Sequence, residues 1–297
     1  MAASGAVFSP IPARAAPVAT QGLVAWLKRS LFDGLANSLT TLVTLLVLIW
    51  LVPPFFNWSV VNAVFAPDNA ACRAAQEVGA CWGVIAEKGR LILFGRYPYA
   101  EQWRPLLACA MLIALLVASC LRLFWRAWLA GLWIAALAIF LVLMHGGTLG
   151  LTPVETSRWG GFPLTLMLSV VTLAVAFPLA IFVALGRSSK LPAIRTICVL
   201  YVELIRGVPL ISVLFMASFM FPLFMPQGMT IDVLLRVLAG MTLFAAAYLA
   251  EVVRGGLQAL PKGQIEAAQS LGLSYWQATR MIVLPQALRL VVPAIVN

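Results

Sequence analysis

Charge is scarce in this sequence. Only 10% of its 297 residues are Asp, Glu, Lys or Arg, against roughly a quarter in a soluble globular protein. Histidine is nearly absent as well: His145 stands alone, with no cysteine cluster near it, which argues against a metal centre. The chain has no Gly-x-x-x-x-Gly-Lys-Ser/Thr loop, so phosphate-binding machinery of that kind is missing. It also has no His-Glu-x-x-His pair and no Gly-x-Ser-x-Gly elbow, which argues against a membrane-embedded hydrolase. No basic run is long enough to follow a nucleic-acid backbone.

What is abundant is apolar. Hydrophobic residues make up 63% of the chain, and the mean hydropathy is +1.00. No soluble core of this length could hide that much apolar surface, so lipid is the expected solvent. Crossing the hydrocarbon takes about 20 mostly apolar residues. Runs with little or no charge occur at 34–67, 105–121, 127–144, 159–186, 207–231, 233–250 and 281–297. The first has its apolar centre at Leu39–Phe56 and is expected to end at Pro53-Pro54. Trp26, Trp50, Trp58, Trp103, Trp125, Trp128 and Trp159 fall near run ends, where an aromatic belt is expected.

The net charge of +10 follows from topology, because Lys and Arg collect in the cytoplasmic loops of membrane proteins. With the N-terminus inside, cytoplasmic segments hold Arg14, Lys28, Arg29, Arg122, Arg126, Arg187, Lys190, Arg195, Arg206, Arg254, Lys262 and Arg280. The loop at 57–104 is then outside, and its bases are nearly balanced by Asp68, Glu77, Glu87 and Glu101. Cys72 and Cys81 lie in that loop. In an oxidising compartment a disulfide is expected, the alternative being two free thiols packed in a small subdomain. Residues 1–22 lack the order of a cleavable signal and read as a disordered cytoplasmic tail. The chain stops at Asn297 inside an apolar run, which suggests a truncated last helix.

The most informative segment is the least apolar. Glu266-Ala267-Ala268 is followed after three residues by Gly272, and after nine more by Ile282-Val283-Leu284-Pro285. Ala267 and Ala268 favour helix, and Gly272 suits a helix end. This pattern resembles the Glu-Ala-Ala loop of ABC importer permeases at every position. Tyr201–Leu210, with Arg206-Gly207-Val208-Pro209-Leu210, looks like a segment of the polar amino-acid permeases, as does Tyr248–Gly256. The likeness covers about 160–297, and the extra helices ahead of it look like those of the general L-amino-acid importer permeases.

The resemblance implies an all-α, polytopic bundle. A type I importer permease core at 156–297 would be preceded by about three extra membrane helices at 23–155. It implies a bacterial inner-membrane location and an ATPase-coupling role for Glu266, Ala267, Ala268, Gly272, Ile282, Leu284 and Pro285. It also implies partners: cytoplasmic ABC ATPase subunits that hold ATP-Mg, a second permease subunit (usually a paralogue), a periplasmic amino-acid-binding protein and an L-amino-acid substrate. No cofactor is expected on this chain. A secondary, ion-coupled carrier is the competing reading, but it has no use for such a loop.

Two further groups stand out. Arg206, Gly207 and Pro209 mark either a simple helix entry or a gating hinge. Glu251 and Arg254 share one helical face, as a local ion pair or as a contact with the transport pathway or ATPase.

Overall fold

The computed structural model describes residues 22–226 and 228–296. The expected tail, apart from Gly22, and the chain end at Asn297 lie outside the described residues. Among the described residues the secondary structure is helical, with one isolated bridge between Val64 and Cys81. Six helices are long and apolar enough to cross a membrane, or seven if one bent pair counts as a span. The all-α polytopic architecture expected from the sequence is therefore present.

The chain divides into two compact units, one ending at Gly89 and the other beginning at Arg90. In the first, α1 (Leu23–Leu31) leads into α2 (Leu35–Phe56), and the short α3 (Asn69–Ala74) comes after it. The expectation that Pro53-Pro54 ends the first span is corrected here, because α2 runs through both prolines. Each proline removes a helical donor. The chain absorbs the defect downstream: Asn57 donates to the carbonyls of both prolines, and a wider i→i+5 turn carries the helix to Val61. Cys72 and Cys81 are joined as a disulfide with their Cα atoms 5.4 Å apart. The Trp82 indole donates to the Ser59 carbonyl at 2.7 Å, tying that loop back to the end of the span.

The helix α4 (Gly83–Phe94) straddles the division. The second unit then contains α5 (Trp103–Cys120), α6 (Trp128–His145), α7 (Gly161–Arg187), α8 (Pro192–Arg206), α9 (Leu210–Phe215), α10 (Val233–Ala259), α11 (Lys262–Ser270), α12 (Tyr275–Ala278) and α13 (Leu284–Val296). Two cores hold it together. Ala108, Cys109 and Leu112 of α5 meet Ala136, Phe140 and Met144 of α6, with Met167 of α7. Ala180, Val183 and Ala184 of α7 meet Val202 of α8 and Ala247, Ala250 and Val253 of α10.

The second core is built largely from small residues. Lipid tails give helices no hydrophobic reason to associate, so close backbone approach and dispersion must do it. At the α10–α13 crossing the approach is closer still: a Cβ on Gly256 would sit 2.6 Å from Val291 and 2.8 Å from the Ala287 carbonyl.

One expected span differs in form. Residues 207–231 do not form a straight crossing helix. Instead α8 and the helical stretch Leu210–Phe224 meet at a 103° bend. Proline is the reason: Pro209 has no amide hydrogen and takes an extended ψ of 143°, so α8 stops and α9 starts afresh. Gly207 contributes no left-handed turn, since its φ is −76°.

The disulfide leads to a direct expectation. A membrane-impermeant thiol reagent applied to intact cells should leave Cys72 and Cys81 unlabelled until a reductant is added. Labelling before reduction would contradict the bridge.

Candidate functional site

The segment carrying Glu266 folds as a short helix between two membrane-spanning helices. Leu260 and Pro261 break α10, and α11 begins at Lys262. Ala268 is buried, whereas the other residues from Lys262 to Ser270, Glu266 and Ala267 included, are exposed. The small side chain at 268 lets the helix backbone sit close to the residues beneath it, leaving the charged face free.

The end of α11 is set by glycine. Gly272 adopts φ +75°, a conformation that costs glycine little. Its amide donates to Gln269 at 2.9 Å, and the next amide, Leu273, reaches back to Ala268 at 3.1 Å. This pair of bonds is the Schellman closure of a helix C-terminus. Two residues later α12 opens with a capping box. The Ser274 hydroxyl accepts from the Gln277 amide, and the Gln277 side chain accepts from the Ser274 amide. A helix stop and a helix start thus sit back to back, fixing the angle of the loop.

Ile282 lies in a wide i→i+5 turn over Thr279–Val283, and Leu284 and Pro285 open α13. That turn absorbs the missing donor of Pro285 without ending the helix. Gln286 of α13 donates to the Gln264 side chain of α11 at 3.4 Å. Beneath α11 is a cavity of about 290 Å³ lined by Leu185, Leu257, Ile265, Gln269, Leu273 and Val283, among others. The helix is therefore held by one side-chain hydrogen bond and one buried alanine, over space.

The second candidate group converges more widely than sequence spacing indicates. Glu251 is half-buried on α10. Arg254, one turn on, donates to both of its carboxylate oxygens. Arg187, the last residue of α7, donates to Glu251 at 2.6 Å and to Glu203 of α8 at 3.0 Å. Arg206, at the end of α8, stands 3.7 Å from Glu251. Its guanidinium also lies 5.5 Å from the centre of the Tyr248 ring. One carboxylate thus gathers three arginines from three helices, at the end of the alanine-rich seam.

Arg187 and Glu203 carried no signal in the sequence. Arg187 is simply the charge that closes a long apolar run, and it lies 64 residues from Glu251. Gly207 and Pro209 sit at the α8–α9 bend beside this cluster and make no ionic contact. Cys72 and Cys81 belong to the other compact unit.

Comparison with known proteins adds a second line of observation. Residues 176–297 match the binding-protein-dependent transport system inner membrane components. The chain is 44% identical over 293 residues to the inner membrane amino-acid ABC transporter permease protein YhdY of Escherichia coli, covering 96% of this chain and 78% of that protein. It is 35% identical over 348 residues to the glutamate/glutamine/aspartate/asparagine transport system permease protein BztC of Rhodobacter capsulatus, covering 96% and 80%. The probable amino-acid ABC transporter permease protein YckA of Bacillus subtilis is 40% identical over 137 residues, 46% of this chain and 59% of that protein.

Glu251 gives the cluster a test. Replacing it with Gln leaves partly buried arginines short of an acceptor, at a cost of about 1–3 kcal/mol. Glu251→Gln should lower the apparent melting temperature of the detergent-solubilised protein. Glu203→Gln should change it little, because the Glu203 side chain is 60% exposed. Equal effects from the two would remove Glu251 from the centre of the network.

Proposed function

This chain belongs to the binding-protein-dependent ABC transporter permeases, and from that premise we propose that α11 is the helix through which a cytoplasmic ATPase drives amino-acid import. The chain is a multi-pass inner-membrane transport subunit. It supplies the membrane pathway of an ATP-driven importer, while hydrolysis belongs to a separate component.

The observation that carries the finer reading is the form of α11. An exposed helix, entered from Pro261 and closed at its C-terminal end by the Gly272 and Leu273 amides, stands between two membrane-spanning helices. Its burial is confined to Ala268. Such a helix is shaped to enter a groove on another protein. Glu266 would meet the ATPase, Ala267 and Ala268 would keep the helix narrow, and Gly272 would fix its exit. Ile282, Leu284 and Pro285 would seat the returning helix. ATP-Mg would be held by the ATPase, not by this chain.

Motion of α11 has a direct route into the membrane. It is joined to α10 by the two extended residues Leu260 and Pro261 and linked to α13 by the Gln264–Gln286 bond. The helices α10 and α13 touch closely at Gly256. Further along, α10 binds α7 and α8 through Glu251. A rigid-body shift of α11 would therefore move a packed unit rather than one loop. Arg206, Gly207 and Pro209, at the 103° bend, lie where such a shift would change the angle between α8 and α9.

The charge balance of the short loops supports an N-terminus in the cytoplasm and the disulfide-bonded loop outside. The relatives' names support amino acids as substrate, and the family's description supports a binding protein as donor; a periplasmic place for that protein and a paralogous permease as the second membrane subunit are what the resemblance implies.

The experiment is a charge reversal at the exposed end of the contact. Glu266→Lys, assembled with its ATPase and binding protein in liposomes, should reduce amino-acid uptake at least tenfold while the subunit still inserts and folds. Wild-type uptake by the variant would remove α11 from the coupling role.

A further inference from the structure

The first described helix, α1, is strongly two-sided. Projected at 3.6 residues per turn, Leu23, Val24, Trp26, Leu27 and Leu31 fall on one side with Ser30 among them, and Ala25, Lys28 and Arg29 on the other. Leu27 and Leu31 are half-buried, but the rest of the apolar side is not packed away: Leu23 is 75% exposed, Val24 79% and Trp26 63%. Water would penalise that face. Yet α1 is too short to cross a membrane, at nine residues.

The connection to α2 fixes the position of α1. Gly34, at φ +91°, turns the chain directly into α2, whose apolar side chains are exposed throughout its length. The Thr41 hydroxyl of α2 donates to the Leu31 carbonyl at 2.7 Å, so the end of α1 is tied to the first turns of the span. The start of a membrane span lies at headgroup depth, and α1 is therefore held there too. The elbow encloses a groove of about 370 Å³ lined by Ser30, Asn37, Thr40, Thr41 and Thr44. The Thr40, Thr41 and Thr44 hydroxyls already donate to the Ala36, Leu31 and Thr40 carbonyls, which leaves Lys28 and Arg29 as the groups to meet a lipid phosphate. Between residues 22 and 67 the charges are Lys28 and Arg29 against Asp33 in the elbow, so the local balance is positive.

We propose that α1 is an interfacial anchor that lies along an anionic phospholipid leaflet. Its apolar side enters the acyl boundary, and Lys28 and Arg29 sit among the lipid phosphates. An amphipathic helix with a basic polar face and a Trp on the other binds in this way. A cytoplasmic N-terminus makes the leaflet the inner one, and anionic lipid on that side attracts basic juxtamembrane residues.

The test uses the full chain in proteoliposomes with the same lipid in both leaflets, so it depends neither on sidedness nor on transport. Cys109, Cys120 and Cys198 are replaced by Ser, and single cysteines are placed at 23–31 for spin labelling. In vesicles containing phosphatidylglycerol, labels at 23, 24 and 26 should be accessible to oxygen and shielded from a water-soluble nickel chelate. Labels at 25, 28 and 29 should show the reverse. In pure phosphatidylcholine, or in the Lys28→Glu/Arg29→Glu background, the contrast should fall several-fold. Nickel access at every position would mean that α1 stands in water. Shielding of the apolar side from both reagents would mean that protein covers it, whether a second copy or another part of the chain. An unchanged contrast in phosphatidylcholine would mean that anionic lipid is not recognised. Each of these three results overturns the proposal.

Discussion

The interaction on which the membrane core depends is the carboxylate of Glu251, held among arginines at the end of a seam of alanines. Lipid removes the usual reason for apolar helices to associate, so α7, α8 and α10 must be joined by close contact and by polar bonds. Ala180, Ala184, Ala247 and Ala250 supply the first. Arg187, Arg206 and Arg254 converging on Glu251 supply the second. Small residues alone would allow the helices to slide. The charges fix where the slide stops, because any other register would leave an arginine or the carboxylate unpaired in a poorly hydrated place.

That arrangement also explains how a surface helix with little burial can matter to the membrane interior. The helix α11 follows α10 after the two extended residues Leu260 and Pro261, and α10 carries the alanine seam, the glycine contact with α13 and Glu251. The cavity beneath α11 leaves it room to shift, and the Schellman closure at Gly272 keeps it helical while it does. A loose mounting on a tightly packed lever is what a coupling element requires. The two properties come from the same stretch of sequence, from Ala246 to Gly272.

Much of this was legible in the residues, and the reasons are local. The apolar runs marked the spans because lipid thickness imposes a length. Gly272 as the end of a helix followed from the ease with which glycine takes a positive φ. The spacing from Glu266 to Pro285 identified the family before any coordinates. The features that were not legible depended on distance along the chain or on how a defect is absorbed. Glu251 and Arg254 read as an isolated pair because Arg187 and Glu203 arrive from other helices. Pro53-Pro54 read as an ending because a wide turn that tolerates prolines leaves no mark in composition. At 207–231 the helix start at Pro209 was legible from its missing donor, whereas the 103° angle to α8 was not, because composition carries no angle.

The central claim is that this subunit moves amino acids only when an ATPase moves it. The most direct measurement is uptake of a mixture of labelled L-amino acids into liposomes that hold the complete transporter, with its ATPase and binding protein. The account predicts uptake that requires ATP and is indifferent to proton or sodium gradients. Uptake that proceeds without ATP and follows an ion gradient would contradict it.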